Sequence, residues 1–287
     1  MQEVTVRVPA STSNLGPGFD CLGVALRIYN AVTVARGIKQ FPPTIVDEVA
    51  RAFFKESGAK SFPYRCTVHE GVPRSRGLGS SATLRAGVML ALNRLAGGPL
   101  DRAALFRLCA ALEGHPDNAA PAIFGGFTVV RGENIQRFKV SPRLYFVILI
   151  PDQEIETTAA RRILPSRIDR KKAVESCGNA CAITAAFASG EYRQLRGAFV
   201  DHLHQPFRQR LIPFLPKVIE AAEKSEALGA FLSGSGSGIV AITMDSPKRV
   251  AAAMKRAAKS ANTQTIIVTA DNEGARILSS RVSKSKT

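Results

Sequence analysis

The chain has 287 residues, 45% of them hydrophobic and 22% charged, with 23 Gly and 16 Pro. That is the composition of a soluble globular protein of one large domain or two small ones, and it excludes disordered, collagen-like and low-complexity architectures. Its 39 basic and 23 acidic residues leave a net charge of +16, which suits nucleic acid, an anionic membrane or small anionic substrates.

Residues 3–8 read as a half-buried strand with Val4, Val6 and Val8 on one face. A polar, Gly-rich loop is expected over residues 11–23, and short β-like runs at 31–35 and 65–69. Between those runs, Ile45, Val49, Ala52 and Phe53 recur at helical spacing, so residues 44–57 form a helix. Residues 77–81 open a long apolar helix that Gly97 and Gly98 stop, and Asp101 is the natural N-cap of the next one, through Leu112. A short helix over 119–124 ends at Gly125 and Gly126, ahead of a strand over 127–130. Residues 144–150 read as a strand buried on both faces. Helices follow near 173–189 and 216–228, then strands at 230–232 and 239–243 around a Gly/Ser loop. Ser246 and Pro247 occupy the favoured N-cap and N1 positions of a further helix, residues 265–268 make the last strand, and the tail beyond Leu278 frays. Helices and strands mix without a regular βαβ rhythm, so the fold class is α+β, in two parts that divide near residues 145–155.

The longest uninterrupted apolar run, residues 145–150, is far shorter than the about 20 residues that span a membrane. Residues 1–8 carry no signal-peptide pattern. Five scattered Cys are an odd count that argues against a disulfide framework and for a cytoplasmic, reducing location, with Cys177 and Cys181 as reduced thiols on one helix face. Residues 161–172 hold six basic residues against one Asp, and 276–287 hold four and no acid. Only four Tyr and no Trp are present and no aromatic is interleaved with those runs, which argues against a base-stacking surface for nucleic acid.

Four segments carry chemistry. The run Pro73, Arg74, Ser75, Arg76, Gly77, Leu78, Gly79, Ser80, Ser81, Ala82 stands directly before an apolar helix. Its glycines let backbone N–H groups turn inward, and a helix N-terminus with two hydroxyls suits a phosphate chain. An ordinary glycine turn reads the same, and no Walker A lysine follows. The loop over 9–23 presents Asn14 and Asp20 to a polar small molecule, or is plain turn chemistry. Glu113, His115, Asp117 and Asn118 fall within six residues, where a carboxylate can hold Mg²⁺ and an Asp or Asn can orient an attacking hydroxyl. Gly234, Gly236 and Gly238 alternate with serines and admit a close backbone or phosphate.

Taken together and in this order, the four segments resemble the GHMP kinase family over about residues 4–268, with Ser237 standing where Pro is usual. Within that family the similarity is greatest to its homoserine kinase branch. The loop Ser-Thr-Ser-Asn-Leu-Gly-Pro-Gly-Phe-Asp (11–20), the run Glu-Gly-His-Pro-Asp-Asn (113–118), the segment from Thr157 to Arg161 before Leu164-Pro165, and Asp-His-Leu-His-Gln-Pro-Phe-Arg (201–208) all agree with it. The resemblance implies an N-terminal ATP-binding domain like the second domain of ribosomal protein S5 (1–148), a ferredoxin-like C-terminal domain (149–280) and a basic tail (281–287). It implies ATP and Mg²⁺, and phosphorylation of the hydroxyl of L-homoserine on the route to threonine. Arg161 and Arg208 would clamp the carboxylate, Asn14, Asp20 and Thr157 the ammonium side, and Asp117 and Asn118 the hydroxyl. His115 would support that corner. Ser81 and Glu113 would hold the metal, and residues 73–82 the phosphates. Whether Asp117 takes the proton stays open. So do two alternatives, a GHMP kinase for another small alcohol and a non-catalytic ATP-binding paralogue. A homodimer is compatible with the reading; a membrane is not.

Overall fold

Alternating valines make the first strand, β1 (Glu3–Ser13): Val4, Val6 and Val8 are fully buried, while Thr5 and Arg7 are half-buried. The computed structural model of the protein describes residues 2–37, 44–259 and 262–281. β1 pairs antiparallel with β2 (Leu22–Arg36), whose 15 residues are long enough to carry two neighbours on the far edge. β3 (Tyr64–His69) pairs with residues 31–36 of β2, and β4 (Phe127–Arg131) with residues 22–24. β5 (Asn134–Phe138) returns beside β4 as a hairpin.

A second antiparallel sheet is built from β6 (Tyr145–Pro151), β7 (Gly229–Leu232), β8 (Ile239–Thr243) and β9 (Thr263–Thr269), in the spatial order β7-β8-β6-β9. Numbered within the sheet, that order is 2-3-1-4, the ferredoxin-like arrangement. The last strand, β10 (Arg276–Arg281), goes back to the first sheet, whose order is β10-β1-β2-β4-β5.

The helices follow from caps and apolar faces. α1 (Thr44–Ser57), α2 (Ser80–Leu95) and α3 (Arg102–Glu113) lay Phe53, Met89, Leu92 and Phe106 over Val4, Val6, Val32 and Val34. Asp101 caps α3 by accepting from Ala104 N at 2.7 Å, and Gly114 ends it in the left-handed region. α4 (Ala119–Phe124) follows, then α5 (Thr157–Arg162) and α6 (Arg170–Ser189). After them come α7 (Gln205–Arg208), α8 (Leu215–Lys224) and α9 (Pro247–Ala258). Val147 and Leu149 of β6 pack under Val218 of α8 and Met254 of α9. Phe146 and Ile148 join a cluster with Val24 and Phe127 of the first sheet and Phe187 of α6, where the Phe127 and Phe187 rings stack at 4.2 Å. So β6 is buried on both faces, as its composition requires, and each large apolar side chain withdrawn there contributes about 1.5–3 kcal/mol.

Several expectations need correction. The loop read over 11–23 is strand at both ends, because β1 runs through Ser13 and β2 starts at Leu22. Its serines and threonine hide a buried strand whose hydroxyls find partners across the fold. Residues 279–281 are not frayed: Ser279, Ser280 and Arg281 pair with Thr5, Val4 and Glu3. The rest of the basic tail, 282–287, lies outside the described residues. The helix expected to reach residue 228 stops at Lys224, and β5, α5 and α7 carry no periodic signal strong enough to announce them. All five cysteines are free, with Cys177 and Cys181 exposed on α6. Among the described residues no helix is long and apolar enough to cross a membrane.

Candidate active site

The loop before α2 turns through left-handed conformations at Ser75, Gly77 and Gly79. A Cβ on Gly77 would collide with the carbonyl of Ser233, and one on Gly79 with the Ser11 hydroxyl and the Asn118 amide oxygen. The third glycine-rich segment thus brings its backbone against this loop: Ser233 Oγ donates to Gly77 O at 2.7 Å, and Gly238 N to Arg76 O at 3.1 Å. Gly77→Ala adds both a collision and an unfavourable φ, so urea titration should show a loss of about 2–4 kcal/mol. Gly79 occupies the N-cap position of α2 and provides no side-chain cap, which leaves the first N–H groups of a 16-residue helix available to an anion.

This helix end faces a cleft of about 630 Å³. One wall is apolar, made by Ile45 and Val46 of α1, Cys66 and Val68 of β3 and Leu84 of α2. Arg74, Ser75, Gly77, Leu78, Gly79, Ser80 and Ser81 line the cleft, whereas Pro73, Arg76 and Ala82 do not. Arg76 points to the second sheet, where its Nε donates to Pro151 O at 2.6 Å. Arg74 is tied to Glu70 at 2.8 Å.

Ser81 Oγ donates to Glu113 Oε2 at 2.8 Å, and Arg85 Nη1 pairs with Oε1, so one carboxylate oxygen is committed and one shares the cleft with a hydroxyl. Neighbouring oxygens on an octahedral Mg²⁺ with 2.0–2.1 Å bonds lie about 2.9 Å apart, so this pair fits a hard cation that needs few protein ligands. Beyond it Asp117 Oδ1 takes His115 Nδ1 at 2.8 Å and Asn118 Nδ2 at 3.4 Å, and its Oδ2 has no hydrogen-bond partner among the described residues. Burial alone would lower the pKa of His115, but the hydrogen bond and charge of Asp117, with Glu113, outweigh it and raise the value above 6.5. Asn118 is committed on both ends, accepting from Ser11 Oγ at 2.8 Å and donating to Ser13 Oγ at 3.0 Å.

The far end of the cleft is charged. Arg161 on α5 grips Asp20 with two bonds, Nη1 to Oδ2 at 3.0 Å and Nη2 to Oδ1 at 2.6 Å, and these bonds first of all raise its pKa. Arg208 on α7 is 1% exposed, and burial, with Arg161 adding repulsion, pulls its pKa down to about 10, so it stays cationic at neutral pH. Both guanidinium carbons lie 5.3 Å from the ring centre of Phe19. Asn14 holds the loop together, its Nδ2 donating to Gly234 O at 3.1 Å and its Oδ1 accepting Asp20 N at 3.0 Å. Thr157 stands opposite, with its hydroxyl 3.4 Å from that of Ser235.

One cleft therefore brings together ten residues singled out in the sequence: Asn14, Asp20, Ser81, Glu113, His115, Asp117, Asn118, Thr157, Arg161 and Arg208. Sequence reasoning missed the apolar wall, whose residues read as ordinary core, and Phe19 and His204, which carry no signal of their own outside the two segments that contain them.

The family model described as the GHMP kinases N terminal domain matches residues 44–126, and that described as GHMP kinases C terminal matches residues 172–260. The chain is 37% identical to the homoserine kinase of Caldicellulosiruptor bescii over 96% of its own length and 97% of that protein's. It is 37% identical to the homoserine kinase of Moorella thermoacetica over 88% and 91%. The crystal structure of homoserine kinase from Cytophaga hutchinsonii superposes with a TM-score of 0.87 at 26% identity, covering 96% of this chain and 97% of that one. Family models that span both halves and relatives matched nearly end to end agree with the cleft: the chain belongs to the GHMP kinase family, an enzyme fold of kinases.

Proposed function

We propose that this kinase transfers the γ-phosphoryl group of ATP to the hydroxyl of L-homoserine, releasing O-phospho-L-homoserine and ADP. The observation that carries this reading is the Asp20–Arg161 pair beside Arg208, a carboxylate and two guanidinium groups at one end of the cleft. An α-amino acid offers the opposite charges side by side. Its carboxylate suits Arg161 and Arg208, and its ammonium suits Asp20, with the Thr157 hydroxyl next to them. A sugar brings neither charge to this set, and a terpenoid acid brings a carboxylate but no cation for Asp20.

The rest of the cleft divides accordingly. The base of ATP goes to the apolar wall of Ile45, Val46, Val68 and Leu84. Its phosphates go to the uncapped N–H groups of α2 and the loop over 77–81. Ser81 and Glu113 would hold Mg²⁺, which when bound offsets the charge on the β- and γ-phosphates. Asp117 Oδ2 accepts the hydrogen bond of the homoserine hydroxyl and turns an oxygen lone pair toward the γ-phosphorus, while His115 and Asn118 hold Oδ1 and fix the carboxylate plane. As the new O–P bond forms, the bond to the β,γ-bridging oxygen breaks and its electron pair leaves with ADP, while the hydroxyl proton passes either to Asp117 Oδ2 or directly to an oxygen of the transferred phosphoryl group. Little covalent help is needed from the protein, so position and charge supply the rate.

A panel of acceptors with ATP and Mg²⁺ tests the reading. L-Homoserine should be turned over, whereas 4-hydroxybutanoate, which lacks the ammonium, and 3-aminopropan-1-ol, which lacks the carboxylate, should each lose on the order of tenfold to hundredfold in kcat/KM. Faster turnover of mevalonate, shikimate or galactose than of homoserine would replace it with another acceptor, and ATP binding without any phosphorylated product would mean a paralogue that has lost its chemistry.

A further inference from the structure

Arg208 heads the fully buried side chains by volume, and a guanidinium so withdrawn from water needs its hydrogens placed. Nε donates to Ala160 O at 3.2 Å, and Nη1 donates to Gly234 O at 2.8 Å. The same Nη1 lies 3.2 Å from Nδ1 of His204, a side chain with no exposure. A guanidinium only donates, so His204 Nδ1 must offer a lone pair there. The ring proton then sits on Nε2, which is 2.8 Å from the carbonyl of Gly16 and 3.4 Å from Asp201 Oδ2. Asp201 is itself held by the N–H groups of Leu203, His204 and Gln205. Phe19 stacks on the imidazole at 5.2 Å, so the ring cannot turn freely.

We propose that His204 is a positioning residue for the acceptor end of the cleft: a neutral imidazole in the Nε2–H tautomer that ties Arg208 to the Gly16 carbonyl. Gly16 belongs to the turn that also carries Phe19 and Asp20, so one ring sets the distance between the two sides of the charged end. Burial, the largest influence, lowers the pKa of His204 and agrees with a neutral ring. The inference rests on the reading of Arg208 as a contact of the homoserine carboxylate.

Two substitutions separate the two ring nitrogens. In His204→Asn the amide oxygen reaches the Nδ1 position and can accept from Arg208. In His204→Gln the amide nitrogen reaches the Nε2 position and donates to Gly16, but Arg208 loses its acceptor. His204→Gln should raise the KM for homoserine about tenfold with the KM for ATP within about twofold, and His204→Asn should recover most of that loss even where both variants melt lower. Equal increases in both KM values, or increases that simply follow the melting temperatures in both variants, would reduce His204 to a structural residue and overturn the proposal. Arg208→Lys in the same assay tells the two failures apart. If it leaves the homoserine KM unchanged, the acceptor reading itself falls; if it raises KM while His204→Gln does not, only the positioning role falls. Nitrogen-15 NMR of the unsubstituted protein gives a reading that needs no variant to fold, since the chain has four histidines. At pH 7 the His204 ring should show the neutral Nε2–H pattern, and a protonated ring or the Nδ1–H tautomer would overturn the proposal.

Discussion

Asp117→Asn is expected to lower kcat on the order of a hundredfold or more, with the KM for ATP little changed. Asp117 is 2% exposed and held at Oδ1 by His115 and Asn118, so the substitution preserves shape while the group proposed to meet the acceptor hydroxyl loses its charge. An amide still accepts a hydrogen bond, but more weakly, and if its nitrogen takes the Oδ2 position it donates where it should accept. The pH profile sharpens the test. Burial disfavours the charged form of His115, but the hydrogen bond and charge of Asp117, with Glu113, outweigh it and raise its pKa, so its titration is expected as an acid limb in the profile. Below that limb the imidazolium draws on Asp117 Oδ1 and makes the carboxylate a poorer acceptor for the hydroxyl. Above it the ring is neutral and kcat is higher. The unsubstituted enzyme should therefore gain kcat as pH rises through the His115 pKa, and Asp117→Asn should flatten that rise. An unchanged kcat with a large increase in the homoserine KM would move Asp117 from the hydroxyl to the charged end of the substrate.

Much of the architecture is legible in local pattern. Val4, Val6 and Val8 mark a half-buried strand, Asp101 marks a helix start, and the unbroken apolar run at 145–150 marks a strand covered on both faces. What stays hidden is where long-range pairing overrules composition. Ser11, Thr12 and Ser13 look like loop, yet they are fully buried strand because Asn118 and Ser233 lie opposite and satisfy their hydroxyls. Residues 277–281 are exposed and show no alternation of buried and exposed positions, and it is pairing with the open edge of β1 that makes them a strand. The site divides the same way. Residues of unusual chemistry in a tight group, such as Glu113, His115, Asp117 and Asn118, announce themselves. The wall of Ile45, Val46, Val68 and Leu84 does not, since no spacing tells an apolar pocket lining from core. Nor does spacing reveal that Asp20, 141 residues from Arg161, is its ion-pair partner.

Glu113→Gln should cut kcat by tens to thousands of fold, about 2–4 kcal/mol of transition-state stabilisation, and raise the Mg²⁺ concentration needed for half-maximal rate. With no P-loop lysine before α2, the proposed phosphate site relies on loop amides, a helix end and the cation that Ser81 and Glu113 are proposed to hold. Glu113 is well placed to hold one: its Oε1 is pinned by Arg85, leaving Oε2 beside the Ser81 hydroxyl at 2.8 Å. The amide of Gln can still accept from Arg85, and Arg85 keeps Glu48 at 3.3 Å, so the fold should lose no more than about 1–2 kcal/mol. Thermal melting with and without nucleotide separates that loss from the loss of rate. The residues proposed to hold homoserine, Asp20, Arg161 and Arg208, line the other end of the cleft, so its KM should move little. A variant that keeps its kcat and its Mg²⁺ requirement but no longer binds homoserine would place Glu113 in the acceptor pocket and leave Asp117 as the carboxylate nearest the metal.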